Sequence, residues 1–173
     1  MWVRARWSFC DSVLFQYQCS SSRNLIFFFF CCFYSSDFRT HVSGVTAADI
    51  RANKGAMKDT DCRQKVAELL KGKVLVGHAL KNDLHALLLT HPKADIRDTA
   101  KYRPFQRLGG NKWRPRKLRD LVKENLGLAI QQEGQAHDST EDAKATMMLF
   151  RSAREQWERE LEEKASLKKR KTT

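Results

Sequence analysis

Between Lys73 and Asp98 the chain passes through an apolar run, a stretch with helical spacing and a second short strand candidate. Lys73-Val74-Leu75-Val76 ends at Gly77 and suits a buried strand. Residues 79–90 then place Leu80, Leu84, Leu87 and Leu88 on one side of a helix. After His91-Pro92, Ala94 to Asp98 reads as the next strand. A strand, a helix and a strand in that order form a right-handed crossover with parallel strands, and such a sheet needs helices on its faces. The remaining sequence offers them. Residues 61–71 align Cys62, Val66, Leu69 and Leu70, with Asp61 to cap and Gly72 to stop. Residues 115–126 carry Pro115 in the first turn, Leu118, Leu121, Val122 and Leu126 inward, and Gly127 beyond. A last helix runs from about 139 to 163 on Ala143, Met147, Phe150, Trp157 and Leu161. The expectation is an α/β fold.

The 173 residues suit one domain with tails, and 42% hydrophobic content is enough for one core. Residues 1–36 differ in texture: they are rich in Phe, Cys and Ser, with Asp11 as their sole acid. The α/β domain is therefore expected over 37–163, with a basic tail over 164–173 ending in Lys168-Lys169-Arg170-Lys171. The run Leu25 to Tyr34 is too short for a membrane span, which needs roughly 20 residues. No small-x-small cleavage site follows it, so membrane insertion and secretion are not expected; a buried or aggregation-prone strand is. Five cysteines without Cys-x-x-Cys spacing argue against a disulfide framework and a zinc site. The net charge of +12 points to a polyanionic partner, or to a solvated surface with a basic tail.

Two short segments carry acid–base chemistry. Asp83 follows the end of the Val74–Val76 strand by about one turn, and ligands of open α/β sheets collect at the carboxyl ends of strands. In His137-Asp138-Ser139-Thr140-Glu141-Asp142, Asp138 is a good N-cap and Glu141 completes a capping-box pattern. His137 and Asp142 then approach each other as a hydrophobic staple would, an imidazole beside a carboxylate. A simple capping box with an exposed histidine reads equally well. Lys112-Trp113-Arg114-Pro115-Arg116-Lys117 interleaves cations with an aromatic ring, which suits phosphates and a base, or a basic loop leading into a helix.

The order Gly77-His78-Ala79-Leu80-Lys81-Asn82-Asp83-Leu84, then His137 to Asp142, resembles the second and third motifs of the DEDDh 3′–5′ exonucleases. Asp37 to Val45, Ile96-Arg97-Asp98-Thr99, Lys117 to Leu121 and Glu155-Gln156-Trp157-Glu158 bring the likeness close to the RNA exonuclease 4 and interferon-stimulated exonuclease branch. The likeness extends from Asp37 to about Glu160. It implies a ribonuclease H-like fold whose first strand is central in the sheet, and removal of nucleotides from an RNA 3′ end. Two Mg²⁺ or Mn²⁺ ions would be held in the intact family site. By match of position, Asp83 and Asp142 are the metal-binding carboxylates, His137 is the general base, and Asp98 is a structural residue at a strand end. The implied partners are RNA and, second to it, single-stranded DNA, with no small-molecule cofactor. The implied location is the nucleus, with ribosomal RNA processing in the nucleolus.

The family's first motif, Asp-x-Glu on the first strand, has no counterpart among the residues before Asp37. Asp59-Thr60-Asp61 has the spacing but the wrong place in the order. Two divalent ions at close range with too few carboxylates would repel, so one ion at most is expected. The first strands of the fold are expected to be missing or replaced, leaving an open edge where Leu25–Tyr34 could pair. Two other functions follow from the same residues: a non-catalytic nucleic-acid-binding module, and an interaction protein that uses the Phe-rich N-terminus.

Overall fold

The computed structural model describes residues 2–8, 11–17, 25–29, 59–132 and 137–171, the first three segments by backbone and register. The segment Asp37–Val45 and the end of the apolar run beyond Phe29 lie outside the described residues.

Five strands form one sheet in the order β1 (Trp2–Ser8), β2 (Asp11–Tyr17), β3 (Leu25–Phe29), β4 (Val74–Gly77) and β5 (Ile96–Asp98). The first three are an antiparallel meander, and β3, β4 and β5 run parallel. Between β4 and β5 lies α2 (Leu80–Ala86), the expected crossover. The edge of β4 is not open: Leu25, Ile26 and Phe27 pair with Val74, Leu75 and Val76. Thus β3 occupies a central place, hydrogen-bonded on both sides, and its five residues include no carboxylate.

Alternation along β4 divides the core. Leu75 faces Val66 and Leu70 of α1 (Asp59–Leu70) and Leu80 and Leu84 of α2. Val74 and Val76 face the opposite way, toward Leu121 and Val122 of α3 (Leu118–Leu126) and Met147, Phe150 and Trp157 of α4 (Ser139–Lys171). Helices therefore cover both faces, as a parallel sheet requires. A bidentate pair, Arg97 Nε and Nη2 to the two Glu158 oxygens at 2.8 Å each, ties β5 to α4. Tyr102 stacks on Trp157 at 3.9 Å and fastens the segment after β5 to the same helix.

Four element expectations need correction. The helix after β4 is shorter than 79–90: Leu88 takes φ 53° and Leu89 N–H bonds the Leu84 carbonyl, which closes the helix. Pro115 lies outside α3, because Lys117 is extended and serves as its N-cap. The basic tail is helical through Lys171, since 164–171 contain no Gly or Pro and place cations at a helix C-terminus. Lys112–Arg114, for which a basic loop was one of two readings, form β7 (Lys112–Arg114) of a hairpin with β6 (Arg107–Gly109) around Gly110-Asn111.

Candidate active site

The turn from β4 into α2 is built around Ala79, whose φ of 61° lies in the left-handed region. That conformation costs an L-residue roughly 1–2 kcal/mol. Asp98, at the end of β5, holds it: its Oδ1 accepts the Ala79 N–H at 2.8 Å and the Ala100 N–H at 3.1 Å. Gly77 admits the turn, because a Cβ there would lie 2.2 Å from Leu80 Cδ2. The turn sets Asp83 half-buried on the first turn of α2.

Two side-chain pairings make up the candidate site. Burial, and then the charge of Asp98, pushes the Asp83 carboxyl up to about 7. Asp98 is itself buried, and its Oδ2 accepts no hydrogen bond, with the Lys101 ammonium 3.4 Å away. Beside them the His78 ring places Nδ1 2.9 Å from Thr99 Oγ1, which donates to the Gly77 carbonyl at 3.1 Å. Burial lowers the His78 pKa, while the Asp98 charge and a hydrogen bond to the Arg116 backbone oppose that shift.

The second pairing is at the start of α4. Asp138 caps the helix as expected, its Oδ1 accepting the Thr140 N–H at 2.7 Å. His137 Nδ1 comes within 3.7 Å of Asp142 Oδ2, with Asp142 fully buried and His137 38% exposed. Glu141 turns to the Gln131 N–H at 3.4 Å. Gln131 was not found from the sequence, yet its Nε2 donates to both Asp142 oxygens at 2.8 Å. Burial pushes the Asp142 carboxyl up to about 6; the Gln131 hydrogen bonds and the His137 charge act the other way. No sequence signal pointed to Gln131, which sits in a loop with φ 54° rather than on a periodic face.

The structure thus brings His137 to Asp142 and Asp83 to Asp98. Among the described residues, no three His, Cys, Asp or Glu side chains gather in a metal-sized group. Of the six-residue basic segment, Lys112, Trp113 and Arg114 stand on β7, whereas Arg116 is an ion partner of Glu124 and Lys117 caps α3.

No family model matches the chain. Curated relatives do. RNA exonuclease 4 of Mycosarcoma maydis is 50% identical over 123 residues, which is 71% of this chain and 32% of that protein. RNA exonuclease 4 of Aspergillus fumigatus is 52% identical over 128 residues, 72% of this chain and 38% of that protein. Over that stretch the chain is similar to the RNA exonuclease 4 proteins. It spans about a third to two fifths of the length of these relatives. Among solved structures, the Saccharomyces cerevisiae Pan2 pseudoubiquitin hydrolase–RNA exonuclease module in complex with AAGGAA RNA aligns with a TM-score of 0.62 and 26% identity, covering 92% of this chain and 27% of that one. The α/β architecture expected from the sequence is that of an exonuclease module.

Proposed function

We propose that this chain is a 3′–5′ exoribonuclease domain of the RNA exonuclease 4 kind, with His137 as the general base for the attacking water. The observation that carries this is the His137–Asp142 pair at a capped helix start. The ring is open to solvent while its carboxylate partner is buried, so the ring can take a proton from water and the carboxylate stabilises the imidazolium that forms. Asp142 is oriented by two hydrogen bonds from one amide, which fixes it against rotation. RNA is the polymer named in the relatives and in the RNA-bound neighbour; single-stranded DNA is the second candidate.

Divalent ions are the family's hydrolytic cofactors, and carboxylate oxygens suit Mg²⁺ and Mn²⁺. The described residues do not fit a two-ion centre. No three His, Cys, Asp or Glu side chains gather among them, both Asp142 oxygens are engaged by Gln131, and central β3 offers no carboxylate. In our reading residues 1–36 stand where the family's first acidic motif would be, one ion at most is held, and turnover is correspondingly low. The basic cluster at Lys168–Lys171, exposed at the end of α4, is read as a nuclear import signal. Among the described residues no helix is long and apolar enough to cross a membrane.

The test is a 5′-labelled single-stranded RNA incubated with Mg²⁺ or Mn²⁺. We expect slow, ladder-like shortening from the 3′ end, reduced at least about a hundredfold in His137→Ala and lost in Asp142→Ala. Binding without any shortening would leave the second reading, a nucleic-acid-binding module, which the incomplete carboxylate set favours.

A further inference from the structure

We propose that one face of the β6–β7 hairpin is the grip on the substrate strand, with Arg107, Lys112 and Arg114 contacting its phosphates. This rests on RNA being the substrate polymer. Arg107 lies directly opposite Arg114 across the hairpin. Like charges so placed are destabilising. A two-stranded hairpin is marginal on its own. Such an arrangement is expected where a polyanion neutralises the charges.

Strand alternation puts Lys112 on the same face as Arg114, and places Gly109 opposite Lys112. A Cβ on Gly109 would meet Arg114 Cδ at 3.0 Å and Nε at 3.2 Å. The glycine thus leaves room for the arginine stem to lie across the face. Among the described residues none of these three exposed cations has an acidic partner, whereas Arg116 is held by Glu124. The opposite face carries Leu108 across from Trp113, with the Arg103 guanidinium 4.3 Å from the indole centroid. One ring face is therefore occupied by a cation, and Trp113 anchors the hairpin to the turn at Arg103–Phe105. The chain leaving β7 passes Arg116, whose backbone hydrogen-bonds His78 beside Asp98 and Thr99. The grip is thereby fixed to the corner that carries Asp83.

The experiment uses the full chain and a fluorescent single-stranded RNA in EDTA, so that binding is read without cleavage. Anisotropy is followed from about 50 to about 200 mM salt. Arg107→Gln with Arg114→Gln is expected to weaken binding about tenfold and to lower the slope of log K against log salt by about 1–2. The double Lys replacement should keep the slope, and thermal unfolding of the Gln variant should be unchanged or raised, since a repulsion is removed. If the Gln variant binds with wild-type affinity and slope, the grip is wrong even though the enzyme reading stands. Binding of the expected kind with no shortening under Mg²⁺ keeps the grip and removes the enzyme. Wild-type protein that binds no RNA overturns both.

Discussion

Asp98 shows how one side chain shapes a site without reacting. It holds Ala79 in the left-handed region, and that turn delivers Asp83 to α2. The cost falls on Asp83, whose half-buried carboxyl is pushed up to about 7 by burial and then by the charge of Asp98. In the unfolded chain it titrates in the ordinary carboxylate range, about 4. Between those values the folded protein holds a proton that the unfolded chain has lost, so stability falls as pH rises through that window. The stabilisation is complete below about pH 4 and gone above about pH 7. Asp83→Asn removes this titration. After allowing for partial exposure, the variant should be about 1–3 kcal/mol more stable than wild type near pH 8 and close to it near pH 4. Urea unfolding at several pH values reads this directly; wild-type and variant curves that run parallel across the window would refute it. A stabilised but inactive Asp83→Asn would match the usual exchange of stability for function at such sites.

At the scale of elements, the backbone of α2 offers the clearest case. Four leucines at helical spacing predict a helix through residue 90, but Leu88 turns left-handed at φ 53° and is 69% exposed. Leu84, Leu87 and Leu89 pack with the α1 core, and the chain must turn before His91 to begin β5. Periodicity reports which residues are buried, not where the backbone must change direction. Leu88→Gly relieves the left-handed strain, offset in part by the freedom glycine adds to the unfolded chain. A net gain of about 0.5–1 kcal/mol is expected, seen as a rise of a few degrees in thermal midpoint; a lower midpoint would count against it. The same distinction separates what was legible from what was not. Buried helix faces and the Gly127 stop could be read because apolar spacing and a positive φ leave marks in sequence. The His137–Asp142 approach could be read because a cap fixes it locally. The hairpin was missed although Gly109-Gly110-Asn111 is a turn signal, because its strands are three residues each, too short for their alternation to stand out. Gln131 reaches Asp142 through tertiary placement, and no local pattern encodes that.

At the scale of the whole molecule, the described strands pair without a gap from β1 to β5, and the central one carries no acid. Strand β3 fills the central place between β2 and β4, so the fold retains paired strands, two covered faces and both later motifs. The three residues paired with β4 are Leu25, Ile26 and Phe27, which give the sheet hydrogen bonds and supply no negative charge. Two divalent ions would carry four positive charges, against one each from Asp83 and Asp142 and one from a phosphodiester. At a separation of about 4 Å the ions' mutual repulsion is not offset by that count, even with an effective dielectric of about 20. The variant that tests this replaces residues 1–36 with the strands that precede the matched region in the Aspergillus fumigatus relative, where the resemblance puts the family's first acidic motif. RNA binding in EDTA should change little, because the hairpin cations are untouched. The shortening rate in Mg²⁺ should rise at least about a hundredfold, equivalent to about 2.7 kcal/mol in the barrier. Equal rates for the two proteins, at equal folded fraction by calorimetry, would mean that the existing side chains already suffice and that the charge deficit has been misread.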